Sequence, residues 1–258
     1  MEQIKIIFFD IDGTLIDMNS RCVSPKTIET LRRQKQRGIR ICLATGRSPV
    51  ELPRFDDIEI DVYLTYNGSL CYTKQEIVFS NPIPTGDVRK LIQNAAAMGK
   101  PVSVATKDRL AANGWDADLA EYYSIGHQVL TVAEDFDEIC QAEIYQIMTA
   151  CREQEYEMLL RGTQGVKIAA WWDRAADIIP ASGGKGRGIR EVLTYYGLNA
   201  ADAMAFGDGN NDIEMFEAVG TGIAMGNASH KLKTVASEVC GDAAQDGVYH
   251  YCMEHSLI

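Results

Sequence analysis

No run of 18 or more apolar residues occurs in the 258-residue chain, so no segment is long enough to span a bilayer as a helix. The apolar N-terminal run, Ile4 to Phe9, stops at Asp10 and is too short for a signal peptide, which sets the expectation of a soluble, cytoplasmic protein with no membrane partner. Basic residues are in deficit. Twenty-five Lys and Arg stand against 36 Asp and Glu, a net charge of -11, and they form no cluster, which argues against a grip on a nucleic-acid backbone. The seven cysteines (22, 42, 71, 140, 151, 240, 252) are odd in number and include no C-x-x-C pair, so neither a disulfide framework nor a structural zinc site is expected. The four histidines (127, 230, 250, 255) form no H-E-x-x-H or comparable zinc pattern.

What the chain does have is a repeated alternation. Ile4 to Phe9 is a near-continuous apolar run, the pattern of a parallel strand covered on both faces. Ser24-Pro25 offers a helix N-cap and first-turn proline, with Gly38 as the stop. A strand is expected at 39–44, a helix opened by the capping box Ser48 to Glu51, and a third strand at 61–68. The rhythm returns late: a helix with Ile189, Val192, Leu193 and Tyr196 ending at Gly197, a strand at 203–206, a helix at 211–219 and a strand at 221–225. Strand alternating with helix predicts an α/β fold with a doubly wound, Rossmann-like parallel sheet. Between the halves, a helical period (Val88, Leu91, Ile92, Ala95, Met98) precedes strand candidates at 101–105, 143–150, 166–172 and 176–180. This mixed order predicts an inserted α+β module at 82–181, with 1–81 and 182–258 forming the core.

In an open parallel sheet, ligands bind beyond the carboxyl ends of the strands, so the residues just after each strand are the informative ones. These are Asp10 and Asp12, then Thr45-Gly46-Arg47, then Asn67-Gly68, then Gly207 to Asp212; Gly183 to Gly186, around Lys185, precede the late helix. Several acids converging on one spot repel one another unless a cation lies among them, and carboxylate oxygens are the ligands that Mg²⁺ prefers. Asp10 and Asp208 are the metal candidates. Lys185, Thr45 and the capped helix start after Arg47 add positive charge and donors, which suits a phosphate.

Each feature has an ordinary structural explanation as well. Asp-Gly after a strand is common turn chemistry, Ser48 to Glu51 explains itself as capping, Lys185 fits a solvated linker, and Asn211 and Asp212 fit a helix start. What favours function is that all occur at comparable topological positions on one sheet edge. Rival motifs fail: an EF-hand loop from Asp10 would need glycine where Leu15 stands, Lys185 lacks the Walker glycine and a following Ser or Thr, and the third glycine of a dinucleotide fingerprint is replaced by Asp212.

Taken together, D-x-D-G-T at 10–14, A-T-G-R at 44–47, N-G at 67–68, G-x-K-G at 183–186 and G-D-G-x-N-D at 207–212 resemble the haloacid dehalogenase superfamily, and within it the Cof-type phosphatases with a large α+β cap. The resemblance implies Asp10 as nucleophile, forming an aspartyl phosphate, and Asp12 as general acid and then base. It implies Mg²⁺ held by Asp10, Asp208 and the backbone carbonyl of Asp12. The implied phosphate contacts are Thr45, Gly46, Lys185, Asn211 and the Ile11 backbone N–H; Asp212 would support the metal, and Arg47, Asn67 and Gly68 the substrate. Asp12 separates phosphoryl chemistry from the dehalogenase branch, which lacks the second aspartate.

The expected activity is therefore hydrolysis of small phosphorylated metabolites, sugar phosphates first, with pyridoxal phosphate or flavin mononucleotide behind them. The rivals are a phosphotransferase or mutase using the same aspartyl phosphate, and a receiver-like signalling module, whose acceptor aspartate would end the third strand where Tyr66-Asn67-Gly68 stands. Trp171, Trp172 and more weakly Trp115 are candidates to stack on a substrate ring. The oligomeric state stays open, and the sequence is compatible with a monomer.

Overall fold

Ile6, Ile7, Phe8 and Phe9 have no solvent exposure, and burying each contributes about 1.5–3 kcal/mol, which drives this run to the middle of a sheet. In the computed structural model, which describes residues 4–20, 22–55, 58–125, 128–169 and 173–258, it forms strand β1 (Ile6–Phe9). The chain divides into two compact units: Met1–Gly46, Pro53–Phe79 and Lys185–Ile258 make one, and Arg47–Leu52 with Ser80–Gly184 make the other.

The first unit is built on an eight-stranded sheet. Its strands are β1, β2 (Arg40–Ala44), β3 (Val62–Thr65), β4 (Leu70–Tyr72), β5 (Ile77–Ser80), then, after the second unit's five, β11 (Ala203–Gly207), β12 (Thr221–Ala224) and β13 (Glu238–Val239). The order is β13-β12-β11-β1-β2-β3-β4-β5. β1 pairs in parallel with β2 on one side and β11 on the other, so the strand order reverses beside β1. That reversal opens a crevice at the carboxyl ends of β1 and β11. The sheet ends in an antiparallel turn-back from β3 to β4, because the four residues between them are too few for a parallel crossover.

Helices α1 (Pro25–Gln36), α6 (Lys185–Tyr196), α7 (Ile213–Ala218), α8 (His230–Val235) and α9 (Gly247–Glu254) belong to this unit. Ser24 Oγ accepts the Thr27 N–H at 3.0 Å, and Pro25 opens α1. α6 stops before Gly197, whose φ of +63° is the left-handed stop that glycine provides.

The second unit has an antiparallel sheet of β6 (Val102–Ala105), β7 (Leu110–Ala112), β8 (Gln146–Ala150), β9 (Val166–Ile168) and β10 (Ala175–Pro180), in the order β7-β6-β8-β10-β9. Helices α2 (Thr85–Ala97), α3 (Ala117–Ile125), α4 (Phe136–Ile139) and α5 (Tyr156–Leu159) accompany it. Val88 and Leu91 of α2 pack in one apolar core with Val102, Val104, Ile147 and Ile178 from alternate positions of the strands. Asn81 and Ser182, close to the two ends of the Ser80–Gly184 segment, bond each other through their side chains at 3.3 and 3.4 Å.

One expected helix is absent in the form predicted. The capping box is present, with Glu51 Oε2 accepting the Ser48 N–H at 2.9 Å, but it closes only the 3-10 turn Pro49–Glu51. Pro53 holds Leu52 extended (φ −69°, ψ 133°), since the residue before a proline is sterically kept out of the helical region. A single turn carries no appreciable macrodipole, so the anion-attracting helix start proposed after Arg47 is withdrawn.

Candidate active site

Lys185 lies at the first position of α6 with its side chain wholly removed from solvent. Burying an ammonium is costly unless carboxylates meet it. Its Nζ donates to Asp10 Oδ1 and Asp212 Oδ1, each at 2.6 Å, so residues 10, 185 and 212 are joined by one cation. Burial alone would lower the Lys185 pKa, but the two carboxylates outweigh it and hold the ammonium above its ordinary range.

Asp10 follows β1 directly, its N–H donating to the Phe206 carbonyl of β11 at 3.0 Å. Asp208 follows β11. Asp212 reaches back: its Oδ2 accepts the N–H groups of Asp208 and Gly209, both at 2.9 Å, and thereby shapes the loop. Gly207 is needed there, since a Cβ on it would lie 2.6 Å from Asp212 Oδ2. Gly13 serves Asp208 similarly: it has φ +79°, and a Cβ would fall 2.1 Å from Asp208 Oδ2.

One carboxylate oxygen from each of Asp10, Asp208 and Asp212 lies within 4.8 Å of the others. The Asp10 pKa is pushed well above its ordinary value, first by burial and then by the charges of Asp212, Asp208 and Asp12, with Lys185 pulling it down. Asp208 is pushed up to about 7, by burial and then by Asp212, with Lys185 opposing and Asp12 adding to the rise. Asp12 therefore acts electrically on both acids, although its carboxylate is not one of the three clustered ones. Three clustered carboxylates around one ammonium, with the Asp12 charge acting on two of them, are a donor set short of positive charge, and hard oxygen donors at this spacing fit a divalent cation.

Thr45 and Gly46 leave β2 beside this cluster's sheet edge, the Thr45 N–H donating to Leu64 of β3. Tyr66, Asn67 and Gly68 are consecutive left-handed residues, with φ of 51°, 52° and 81°. For the two that are not glycine this costs about 1–2 kcal/mol each. The turn it makes sets Asn67 against Gly46 and brings its Oδ1 3.2 Å from Asn211 Nδ2, while the Asn67 N–H donates to the Thr45 carbonyl at 2.9 Å. Gly68 meets Gly188 of α6, where a Cβ would lie 3.0 Å from the Gly68 Cα. Ile11 is fully buried in the turn after Asp10. Arg47 falls in the second unit, donating through Nη1 to the Glu51 carbonyl at 3.0 Å. Trp115 is 64% exposed, and Trp171 and Trp172 lie outside the described residues.

Asn227 was not among the sequence candidates. It sits two residues beyond Met225 at the carboxyl end of β12, so the strand-end rule that found Asp10 and Asp208 would have reached it had it been extended one strand further. Its Nδ2 lies 2.8 Å from the Gly13 carbonyl and 3.4 Å from Asp208 Oδ2.

A family described as haloacid dehalogenase-like hydrolase matches residues 7–252. The YkrA protein of Bacillus subtilis (strain 168), a candidate phosphatase by its name, is 30% identical over 260 residues, spanning 98% of both chains. Pyridoxal phosphate phosphatase YbhA of Escherichia coli (strain K12) is 25% identical over 280 residues, covering 98% of this chain and 99% of its own. The solved structure of BT4131, a sugar phosphatase of subclass IIB, superposes with a TM-score of 0.87 at 27% identity, covering 98% of this chain and 100% of the other.

Proposed function

The chain belongs to the haloacid dehalogenase-like hydrolases, as a Cof-type phosphatase acting on small phosphorylated substrates, and from that premise we propose that it hydrolyses sugar phosphates through an aspartyl phosphate on Asp10. The observation that supports this most is the Lys185 ammonium bridging Asp10 and Asp212 at 2.6 Å, with Asp208 in the same cluster.

An Asp10 oxygen attacks phosphorus while the bond from phosphorus to the leaving oxygen breaks. Asp12 gives its proton to that oxygen, so a neutral alcohol departs. Asp12, now ionised, takes a proton from a water, whose oxygen attacks the same phosphorus; the bond to Asp10 breaks and inorganic phosphate is released. A carboxylate attacking a phosphate ester is repulsive in water, and Lys185 offsets this from a site where no solvent screens it. Thr45, the Gly46 and Ile11 N–H groups and Asn211 orient the phosphoryl oxygens, with Asn67 and Gly68 setting the turn beneath them. Asp10, Asp208 and the Asp12 carbonyl would hold a Mg²⁺ ion, with Asp212 supporting them, and the ion supplies further neutralisation of phosphoryl charge.

The second unit, with Arg47 included, is assigned the choice among leaving groups. The sugar phosphatase relative supports sugar phosphates as first choice, and the pyridoxal phosphate phosphatase keeps that ester second, with flavin mononucleotide after it. A phosphotransferase with the same intermediate differs only in the acceptor. A phosphate-release screen over metabolites, with and without Mg²⁺, tests the reading. The expected result is metal-dependent release that Asp10→Asn abolishes; release surviving in that variant rejects Asp10 as nucleophile, and transfer to an added alcohol in preference to water selects the phosphotransferase.

A further inference from the structure

Two loops must stay in register for the acids to face one cation: the one after β1, carrying Asp10 and Asp12, and the one after β11, carrying Asp208. Asn227 touches both. Its Nδ2 donates to the Gly13 carbonyl at 2.8 Å and reaches Asp208 Oδ2 at 3.4 Å, and its Oδ1 accepts the Ala243 N–H at 2.9 Å. That third bond decides which way round the amide sits. A flipped amide would set N–H against the Ala243 N–H and carbonyl oxygen against the Gly13 carbonyl, so the NH₂ end is held toward the acid.

Asp208 is confined by Gly13 as well. Its Oδ2 rests on the bare Cα of Gly13, where a Cβ would come within 2.1 Å. Its own carbonyl accepts the Ser229 N–H at 2.9 Å, which ties the loop after β11 to the loop after β12 that carries Asn227. The same carboxylate oxygen thus meets both the Gly13 backbone and an amide donor. Groups that orient a metal-binding side chain in this manner tune affinity without touching the ion.

We infer that Asn227 is a positioning residue, which fixes the side-chain orientation of Asp208 and clamps the Asp10–Gly13 turn to it so that Asp10 and Asp208 present oxygens to the same divalent cation. This rests on the metal-dependent reading of the site. Asn227 is exposed, so its truncation leaves no core cavity, and an effect on the cation separates from an effect on folding.

Two variants of the full chain test it by calorimetric titration with MgCl₂. Asn227→Ala removes the amide. Ala243→Pro removes only the N–H that orients it; Asp242 is already extended (φ −67°, ψ 151°), as a residue before proline must be, and residue 243 opens a 3-10 turn, where proline is accepted. The expected result is a Kd for Mg²⁺ weakened about tenfold in Asn227→Ala. Ala243→Pro shifts the same way by less, and both keep KM for a phosphate ester at saturating Mg²⁺ within about twofold of wild type, as uniform substrate binding is untouched. Unchanged Mg²⁺ affinity in Asn227→Ala, or in Ala243→Pro if the first variant does not fold, overturns the inference and leaves the metal site standing. A wild-type chain that takes up no Mg²⁺ overturns both.

Discussion

Lys185 bonds Asp10 and Asp212 and its charge also acts on Asp208, and its removal has a different signature from the removal of any of them. Lys185→Met leaves Asp10 and Asp212 buried with no ammonium between them, so the metal-free protein is expected to lose about 3–5 kcal/mol in urea unfolding, together with its activity. Asp12→Ala is expected to slow alkyl phosphates far more than aryl phosphates, whose leaving groups need little protonation; equal losses in steady-state rates on the two classes would remove Asp12 as the acid. The Asp208 carboxyl, raised to about 7 from an ordinary 3.8, keeps a proton in the folded chain that the unfolded chain has released. Metal-free stability should therefore fall as pH rises between those two values, Asp10, raised in the same direction, adding to the fall. Melting temperatures across pH 4–8 check this, with Asp208→Asn flattening the slope and Mg²⁺ raising the melting point most at the alkaline end. Sequence exposed these acids because a carboxylate after a buried strand is conspicuous. It hid Asn227, a neutral amide whose importance lies in partners 214 and 19 positions away.

At the scale of elements, close approach matters more than propensity. A Cβ on Gly186 would lie 2.2 Å from the Glu214 carbonyl oxygen, so α6 can bring Lys185 into place only because backbone meets backbone there. Gly186→Ala is expected to destabilise by about 1–3 kcal/mol, read from urea midpoints, and to lower turnover by displacing the lysine. The strands β1, β2, β11 and β12 were legible to within two residues, since runs of buried apolar residues leave little choice of structure, whereas the strand expected at 61–68 ends at Thr65, three residues early, where the left-handed turn begins. The turn-back into β4 was not legible, because Leu70–Tyr72 is three residues long and carries no period. Nor was the left-handed Tyr66, which its residue type opposes and only the surrounding sheet enforces. The capping box at Ser48 is local chemistry that does not by itself make a helix, since Pro53 stops the chain after one turn.

At the scale of the whole molecule, the two units have separate hydrophobic interiors, and all the clustered acids lie in the first. Differential scanning calorimetry of the intact chain is expected to resolve two transitions, with Mg²⁺ raising only the one that carries the site. A single transition shifting as a unit would refute that. The insert expected at 82–181 rests on a break in the strand–helix rhythm, whereas nothing local in the sequence marks Arg47–Leu52, a six-residue excursion from one unit to the other. The side-chain bonds between Asn81 and Ser182 have a consequence for descent and for engineering. Because the ends of this segment lie side by side, its interior can be lengthened, exchanged or recombined with a foreign counterpart at the entropic cost of closing a short loop. On the proposed reading, new ester preferences would be acquired by exchanging Ser80–Gly184 together with Arg47–Leu52, while the phosphorus chemistry is inherited intact.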